Sequence, residues 1–503
     1  MIYIYVLASH FYFIFRYSGR WIEWDSGAMV KAIQSMCEEG TIFPTITYIN
    51  GFGAQVIASF FINILNITVQ EYSIFLHPII TTLYVFVAYL TFLEFTKKES
   101  VALLSTFLIS LQPEFFWTSS RNTHEGFTYL MIFISTYVLV KNFDTKTNFS
   151  KYISYIIIYY ISISCLITQN IFFASTYSIS LFFIFILGYL ISKKIKTYTN
   201  FRRLVYSSGI FIILIFFFMF YLYPPAEFFL ISGVNYLDRI EKLLFIVESQ
   251  STPQYTYIFK MWKYPYLWFI LTLFNWVIAA FSFIMYLKLL KSFFRTKSPT
   301  HSPAILALLL LYTALSSLLV VYIIADRFGE FGSNMELRIF PVLMIYAVPL
   351  ASMLIIEIIN SHSLSQRKKV FIKFCFILIL LLFIGNSLLK GTNDPSVSNK
   401  WIHYSLQEEY GIVWVDNYLC EKSIWADCDE RLLNVYNLKT DSDSYRRVSF
   451  RSKSDGAYIF VSGIIEKRAK TLGYSIPKYE ESEILYNNGD VEIASPNNLT
   501  LIT

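Results

Sequence analysis

The chain reads as an all-α polytopic membrane protein with a small mixed α/β domain after its last span. Three observations predict this. Only 15% of its 503 residues are charged while 55% are hydrophobic, against roughly a quarter charged in soluble globular proteins. Apolar runs near the ~20 residues that cross a bilayer recur up to residue 389. Beyond Asn393 the composition turns polar. The 48 Phe and 38 Tyr fit the same class, because Tyr favours membrane interfaces.

Taken in order, eleven spans are predicted at 1–16, 73–95, 100–118, 125–143, 151–169, 171–191, 204–223, 265–288, 303–324, 338–359 and 369–389. The first run has no small-residue cleavage site after it, so it reads as a retained span rather than a signal peptide. Charge sets the orientation. Lys97 and Lys98, Lys141, Lys146 and Lys151, Lys193 to Arg203, Lys288 to Lys297, and Arg367 to Lys369 fall in alternate loops. Those loops are cytoplasmic by the positive-inside rule, which puts 17–72, 119–124, 225–264, 325–337 and everything after 390 outside. The net charge of +6 is therefore topological and does not mark a nucleic-acid surface.

This parity rests on reading 52–67 as a helix lying on the membrane. Gln55, Ser59, Asn63 and Asn66 recur at helical spacing, with Val56, Ile57, Phe60, Phe61 and Ile64 on the other side. Segment 26–39 reads likewise, with Met29, Ile33 and Met36 opposite Lys31, Gln34, Ser35 and Glu38, and stops at Gly40. The first outer loop thus carries two interfacial helices.

The division is 1–392 for the membrane domain and 393–503 for the outer domain. In the latter, 411–418 and 457–462 read as strands, 466–472 as a short helix, and 483–493 as a hairpin turning at Asn487-Asn-Gly-Asp490. Cys420 and Cys428 both fall outside, which leaves either a disulfide or two free thiols. Cys165 and Cys375 lie in apolar runs and read as inert; no His/Cys cluster marks a structural metal site.

Three clusters can carry chemistry. Asp25, in Trp21-Ile-Glu-Trp-Asp-Ser-Gly-Ala28, is either a helix N-cap or a general base at the membrane surface. The second outer loop, Ser119-Ser-Arg-Asn-Thr-His-Glu125, holds Arg121, His124 and Glu125 together, more polar groups than a short turn requires. A carboxylate at membrane depth is a functional candidate by default; the plainer alternative pairs Arg121 with Glu125 or with a lipid phosphate. The third cluster runs from Asp326 to Arg338. Arg338 at the mouth of a span suits bidentate binding of phosphate oxygens, with Arg327 as the alternative donor. Otherwise Arg338 is an arginine that snorkels to headgroups. The long loop 225–264 is a lid over a lipid groove or a static interfacial helix. There is no Gly-rich phosphate loop, no Ser-His-Asp signal and no HExxH. The short inner loops exclude a cytoplasmic nucleotide site.

The layout resembles the membrane glycosyltransferases of the GT-C superfamily, which include protein O-mannosyltransferases, aminoarabinose transferases and oligosaccharyltransferases. The resemblance rests on the early acid Asp25, the two interfacial helices, the polar second outer loop, the late Arg338 and the outer domain. It implies transfer of a sugar from a polyprenyl-phosphate carrier to a glycan, lipid or protein acceptor on the outer face, with inversion. It further implies Asp25 as base, His124 or Glu125 assisting, and Arg338 at the donor phosphate. The oligosaccharyltransferase branch carries Trp-Trp-Asp in its last domain, where this chain has only Ile424-Trp-Ala-Asp427. The acid pairs holding that branch's divalent ion are also not evident. The match is thus nearer the mannosyltransferase and aminoarabinose-transferase types, with no certain cofactor and a divalent metal ion left open. A polysaccharide polymerase or ligase and a lipid-linked-sugar flippase are the competing classes. A flippase would favour charges near the bilayer midplane and inverted repeats, whereas here the charges crowd the rims.

Overall fold

The computed structural model describes residues 1–20, 24–144, 149–194, 199–223, 265–295, 302–328, 335–360, 366–392, 397, 403–419, 422–425, 432–433, 435–436, 449–451, 456–472, 476–477 and 482–496. The loop 225–264, Cys420 and Cys428 lie outside this set, as do most of 393–402.

Two short helices, α1 (Ile2–His10) and α2 (Tyr12–Tyr17), open the chain. They break at Phe11 and turn at Ser18 and Gly19, both at positive φ. The expected span 1–16 is therefore a broken pair. The two interfacial segments form α3 (Trp24–Glu39) and α4 (Phe52–Leu65), which pack on each other through Met29, Ile33, Ala54, Ala58 and Ile62. The polar stripe of α4 does not face solvent along its length. Gln55 and Ser59 are buried in protein while Phe60, Ile64 and Leu65 are exposed. Gln55 Nε2 donates to the Tyr48 carbonyl at 2.6 Å, so a buried amide finds its partner in the loop between the helices.

The bundle continues with α5 (Val69–Thr96), which starts from a capping box between Thr68 and Glu71 and contains a π turn at Tyr72–Leu76. The expected span 100–118 bends by 67° between α6 (Glu99–Ser110) and α7 (Pro113–Ser120). The cause is local: Pro113 cannot donate to the preceding turn, and the Gln112 side chain caps the new helix by accepting from Phe115 N–H. Then follow α8 (Glu125–Asp144), α9 (Phe149–Gln169), α10 (Ile171–Lys194) and α11 (Thr199–Phe217), the last running into a π turn at Phe218–Leu222. The last four are α12 (Pro265–Arg295), α13 (Pro303–Phe328), α14 (Met335–Ile359) and α15 (Gln366–Gly391).

Among the described residues, eight helices are long and apolar enough to cross a membrane, or nine if the bent pair is one span, where eleven were expected. Helix α8, which is not among the eight, lies inside the bundle. Thr128, Ser135 and Thr136 are fully buried against neighbouring helices, and small hydroxyl residues are what close helix contacts in membranes use. Helix α14 is central as well, with 83% of its apolar window buried, whereas α15 has only 11% and lies at the rim.

Side-chain contacts fix which helix ends lie together. Lys97 and Lys141 both pair with Glu94, the latter at 3.0 Å, and Lys288 pairs with Glu357. Towards the opposite end Tyr84 meets Phe115 edge to face, with ring centroids 5.0 Å apart, and Asn275 of α12 reaches Glu114 at 2.7 Å. Helices α5, α8, α12 and α14 therefore run in the same direction, with their first turns at the end that holds α7.

The last domain has its own core around Ile412, Val415, Ile424, Phe460 and Ile493. Its five-stranded sheet runs β2-β1-β3-β5-β4. The strands are β1 (Ser423–Trp425), β2 (Ser449–Arg451), β3 (Tyr458–Ser462), β4 (Ile484–Asn487) and β5 (Val491–Ala494). β1 pairs parallel with β2 and β3; β5 pairs antiparallel with β3 and β4. The 457–462 strand, the 466–472 helix (α17, Gly463–Leu472) and the hairpin are all present. The strand expected at 411–418 is not: it belongs to α16 (Leu406–Tyr418). Its Ile-Val-Trp-Val run looked β-like, but Ser405 and Glu408 form a capping box just before it, and Ile412, Val415 and Leu419 form the buried face at helical spacing. Gly411 lets this helix close on the sheet, since a Cβ there would come 2.9 Å from Val491.

Candidate active site

The loop 121–124 sits at the shared end of the bundle, between the last turn of α7 and the first of α8. Arg121 leaves the helix in extended conformation, and Thr123 N–H donates back to its carbonyl at 2.8 Å. This tight turn aims three polar side chains inward: Arg121, Thr123 and His124 are at most 7% exposed.

Both oxygens of Glu125 are engaged. Oε1 accepts from Arg121 Nη2 at 3.1 Å, and Oε2 accepts from Thr123 Oγ1. The Arg121 guanidinium also lies 5.3 Å from the centroid of the Trp117 ring, a cation–π distance. The Arg121–Glu125 pairing set out as the plainer alternative is therefore present. His124 is held from the other side. The Asn170 amide nitrogen lies 2.8 Å from Nε2, which makes that nitrogen the acceptor and leaves the proton on Nδ1, 3.8 Å from Glu125 Oε2. The Tyr48 ring lies 5.5 Å from the His124 ring. His77 Nε2 donates to the Thr123 carbonyl at 3.2 Å, and Asn122 donates to Ser73 within the π turn at 2.7 Å.

Two glycines allow the approach. At Gly126 a Cβ would meet Thr81 Cγ2 at 2.6 Å, so only hydrogen lets α8 close on α5. At Gly51 a Cβ would overlap Met29 Cε and come 3.2 Å from His124 Cβ. Gly51 is thus the contact between α3 and the His124 turn. Asp25 is the second residue of α3, in its first turn rather than at the cap position before it. It lies one turn, about 6 Å along the axis, before Met29. Its side chain is outside what the structure describes.

Arg338 lies at the same end. Thr136 Oγ1 and the Tyr346 hydroxyl meet at 2.9 Å. Glu125 precedes Thr136 by eleven residues, and Arg338 precedes Tyr346 by eight. The two therefore stand about 16 Å and 12 Å along their axes from that shared level. Arg338 is exposed and has no hydrogen bond or ion pair among the described residues. Arg327 falls in the last turn of α13, its side chain outside the described set.

Sequence reasoning missed Asn170, His77 and Tyr48. The polar pair Gln169-Asn170 between two apolar runs, and His77 inside one, were the available signals. It also missed a second polar cluster, in which Glu114 pairs with Lys390 and accepts from Gln112 and Asn275. Among the described residues no three His, Cys, Asp or Glu side chains are grouped to hold a metal ion. Glu125 and Glu114 are each already paired with a cation, so the described residues do not fit a divalent ion.

The same architecture occurs in solved structures. The oligosaccharyltransferase of Archaeoglobus fulgidus, tethered with an acceptor peptide containing the NVT sequon, matches 98% of this chain and 73% of its own, at 13% identity and TM-score 0.54. The archaeal oligosaccharyltransferase AglB from the same organism, in complex with an inhibitory peptide and a dolichol-phosphate, matches 94% and 68%, at 13% identity and TM-score 0.54. ArnT from Cupriavidus metallidurans bound to undecaprenyl phosphate matches 99% and 98%, at 9% identity and TM-score 0.50. These are GT-C superfamily membrane glycosyltransferases, and the chain has their fold. No family model and no curated sequence matches it.

Proposed function

We propose that this chain is an integral-membrane glycosyltransferase that moves a sugar from a polyprenyl-phosphate-linked donor to an acceptor on the outer face, with inversion. The observation that supports it most is the convergence, at one end of a GT-C bundle, of α3 with Asp25, the buried Arg121–His124–Glu125 turn and Arg338. The basic loops at the other end support an outward-facing site, with the last domain outside as well. A lipid phosphate is bound by both AglB and ArnT in the structures named above.

In this reading Asp25 takes the proton from the acceptor nucleophile as that atom attacks the anomeric carbon. The lipid phosphate departs from the opposite face of the sugar, which inverts the centre. Phosphate leaves without protonation, so the protein's task is to stabilise the negative charge that develops on it. Arg338 suits that task because its guanidinium is exposed and uncommitted among the described residues. Glu125 is less suited to proton transfer, since both its oxygens are engaged; it serves to aim Arg121 and to orient His124. The sugar and the chemical class of acceptor are open to a direct assay. Membranes carrying the protein are offered a panel of radiolabelled polyprenyl-phosphate sugars. Asp25→Asn is expected to abolish transfer while expression and insertion stay intact. Near-normal transfer by that variant sinks the assignment of Asp25.

A further inference from the structure

We infer that the C-terminal domain is a brace for the start of α3, and that Arg20 and Glu409 are positioning residues for Asp25. This rests on the transferase reading only for what Asp25 does; the brace itself rests on contacts.

The chain between α2 and α3 is gripped from outside the bundle. Arg20 Nε pairs with Glu409 Oε2 at 3.4 Å, with the two side chains 32% and 21% exposed. The backbone carbonyl of Arg20 accepts from Tyr404 N–H at 3.2 Å. The rings of Tyr17 and His403 stack, centroids 4.9 Å apart and planes 6° apart. A backbone bond, an ion pair and a ring stack thus engage residues 17–20.

Both sides of the grip are stiff. On one side, Gly19 N–H donates to the Ile14 carbonyl and Arg20 N–H to that of Tyr17, while Ser18 and Gly19 hold left-handed backbone. On the other, Glu409 lies in the first turn of α16, behind the Ser405–Glu408 capping box. The hairpin turn ties that helix start to the sheet: Asn488 donates to the Gln407 carbonyl at 3.0 Å, and Ser405 donates to Asp490 at 3.3 Å.

The grip is close to the candidate base. Four peptide units separate Arg20 from Trp24, so the clamp lies within about 14 Å of the helix start whatever the path between. The far part of α3 is held by Met29 and Ile33 against α4 and Gly51. Ser26, next to Asp25, is buried as well, and the clamp adds a hold on the chain that enters this first turn. A base misplaced by about 1 Å loses on the order of a hundredfold in rate.

The test uses the full chain in nanodiscs, with Arg20→Glu, Glu409→Arg, the two combined, and His403→Ala as an independent variant. Hydrogen exchange of amides in 24–39 reads the brace; kcat and KM for transfer read its consequence. Each single variant is expected to speed exchange in the first turn of α3 about tenfold or more, and to lower kcat about tenfold with KM changed less than about twofold. The charge-swapped pair is expected to restore both. Unchanged exchange at α3 in all single variants overturns the brace. Faster exchange with unchanged kcat overturns the positioning role. Faster exchange rescued by the swap, in a protein whose wild type transfers no sugar, supports the brace and overturns the transferase reading instead.

Discussion

Glu125→Gln separates charge from shape at the centre of the site. The amide can still accept from Thr123, so the steric change is small. What is lost is the counterion of Arg121, whose side chain is 9% exposed, against 13% for Glu125. At the 3.1 Å separation and an effective dielectric near 20, the gross attraction is about 5 kcal/mol. Relief of the glutamate's own desolvation and the remaining contact with Trp117 offset part of it. The expected net loss is about 2–4 kcal/mol, in the range for removing one partner of a buried pair. Arg121→Met combined with Glu125→Gln removes both charges of the pair, so the double variant should be more stable than Glu125→Gln alone. Thermal unfolding in nanodiscs, followed by intrinsic fluorescence, measures all three. Wild-type stability in Glu125→Gln, or a double variant less stable than that single one, refutes the picture of a buried pair holding the turn.

Arg338→Ala should lower transfer about ten- to a hundredfold, with most of the loss recovered by a donor-saturated assay only if Arg338 binds ground state and transition state alike; a rate equal to wild type removes it from the phosphate site. Gly126→Ala should destabilise the bundle by about 1–3 kcal/mol, because the added methyl meets Thr81 Cγ2 at 2.6 Å and the Ser119 carbonyl at 3.3 Å; an unchanged melting midpoint shows that α8 and α5 can separate without cost. Hydrogen bonds from the Ser35 hydroxyl and the Thr45 N–H hold the Glu39 carboxyl below its ordinary value. A depressed folded-state value means the stabilisation is present above the unfolded value near ~4.3 and is lost as pH falls through the folded one. Exchange of the Thr45 amide, which donates to both Glu39 oxygens at 3.0 Å, should therefore gain protection up to neutral pH and lose it in acid. Ser35→Ala should move that loss to higher pH, and an unmoved profile removes Ser35 as its cause.

Much of the fold is legible in the residues. Runs of apolar side chains must be buried in lipid or protein wherever they fall, and eight of the eleven expected segments are helices long and apolar enough to span. That 26–39 and 52–67 are helices was equally readable, and in 26–39 Met29 and Ile33 at helical spacing form one buried face. The hairpin at 483–493 was readable from its Asn-Asn-Gly-Asp turn, where Gly489 takes φ +91.

Where sequence reasoning failed, a non-local partner decided. Hydropathy alone cannot say whether an apolar face meets lipid or protein, so Gln55 and Ser59 looked like a wet stripe until α3 and the Tyr48 carbonyl were found against them. Nor can it tell the rim helix α15 from the central α14. The strand expected at 411–418 lost to a cap and to a buried face supplied by a sheet that forms later in the chain.

By itself, the sequence determined the class of molecule, the loops that hold the polar residues and the candidates Asp25, Arg121, His124, Glu125 and Arg338. These follow from local chemistry, since each depends only on near neighbours and on which side chains a bilayer tolerates. The tertiary structure alone decided that Glu125 is committed to Arg121 and Thr123, that Asn170 and Tyr48 hold His124, and that Arg338 shares their end of the bundle. It also decided that Arg20 is gripped by Glu409 and Tyr404. The partners in that last contact are nearly four hundred positions apart. Pairings at such separations cost loop-closure entropy that only the packed fold repays, and no local pattern in the chain announces them.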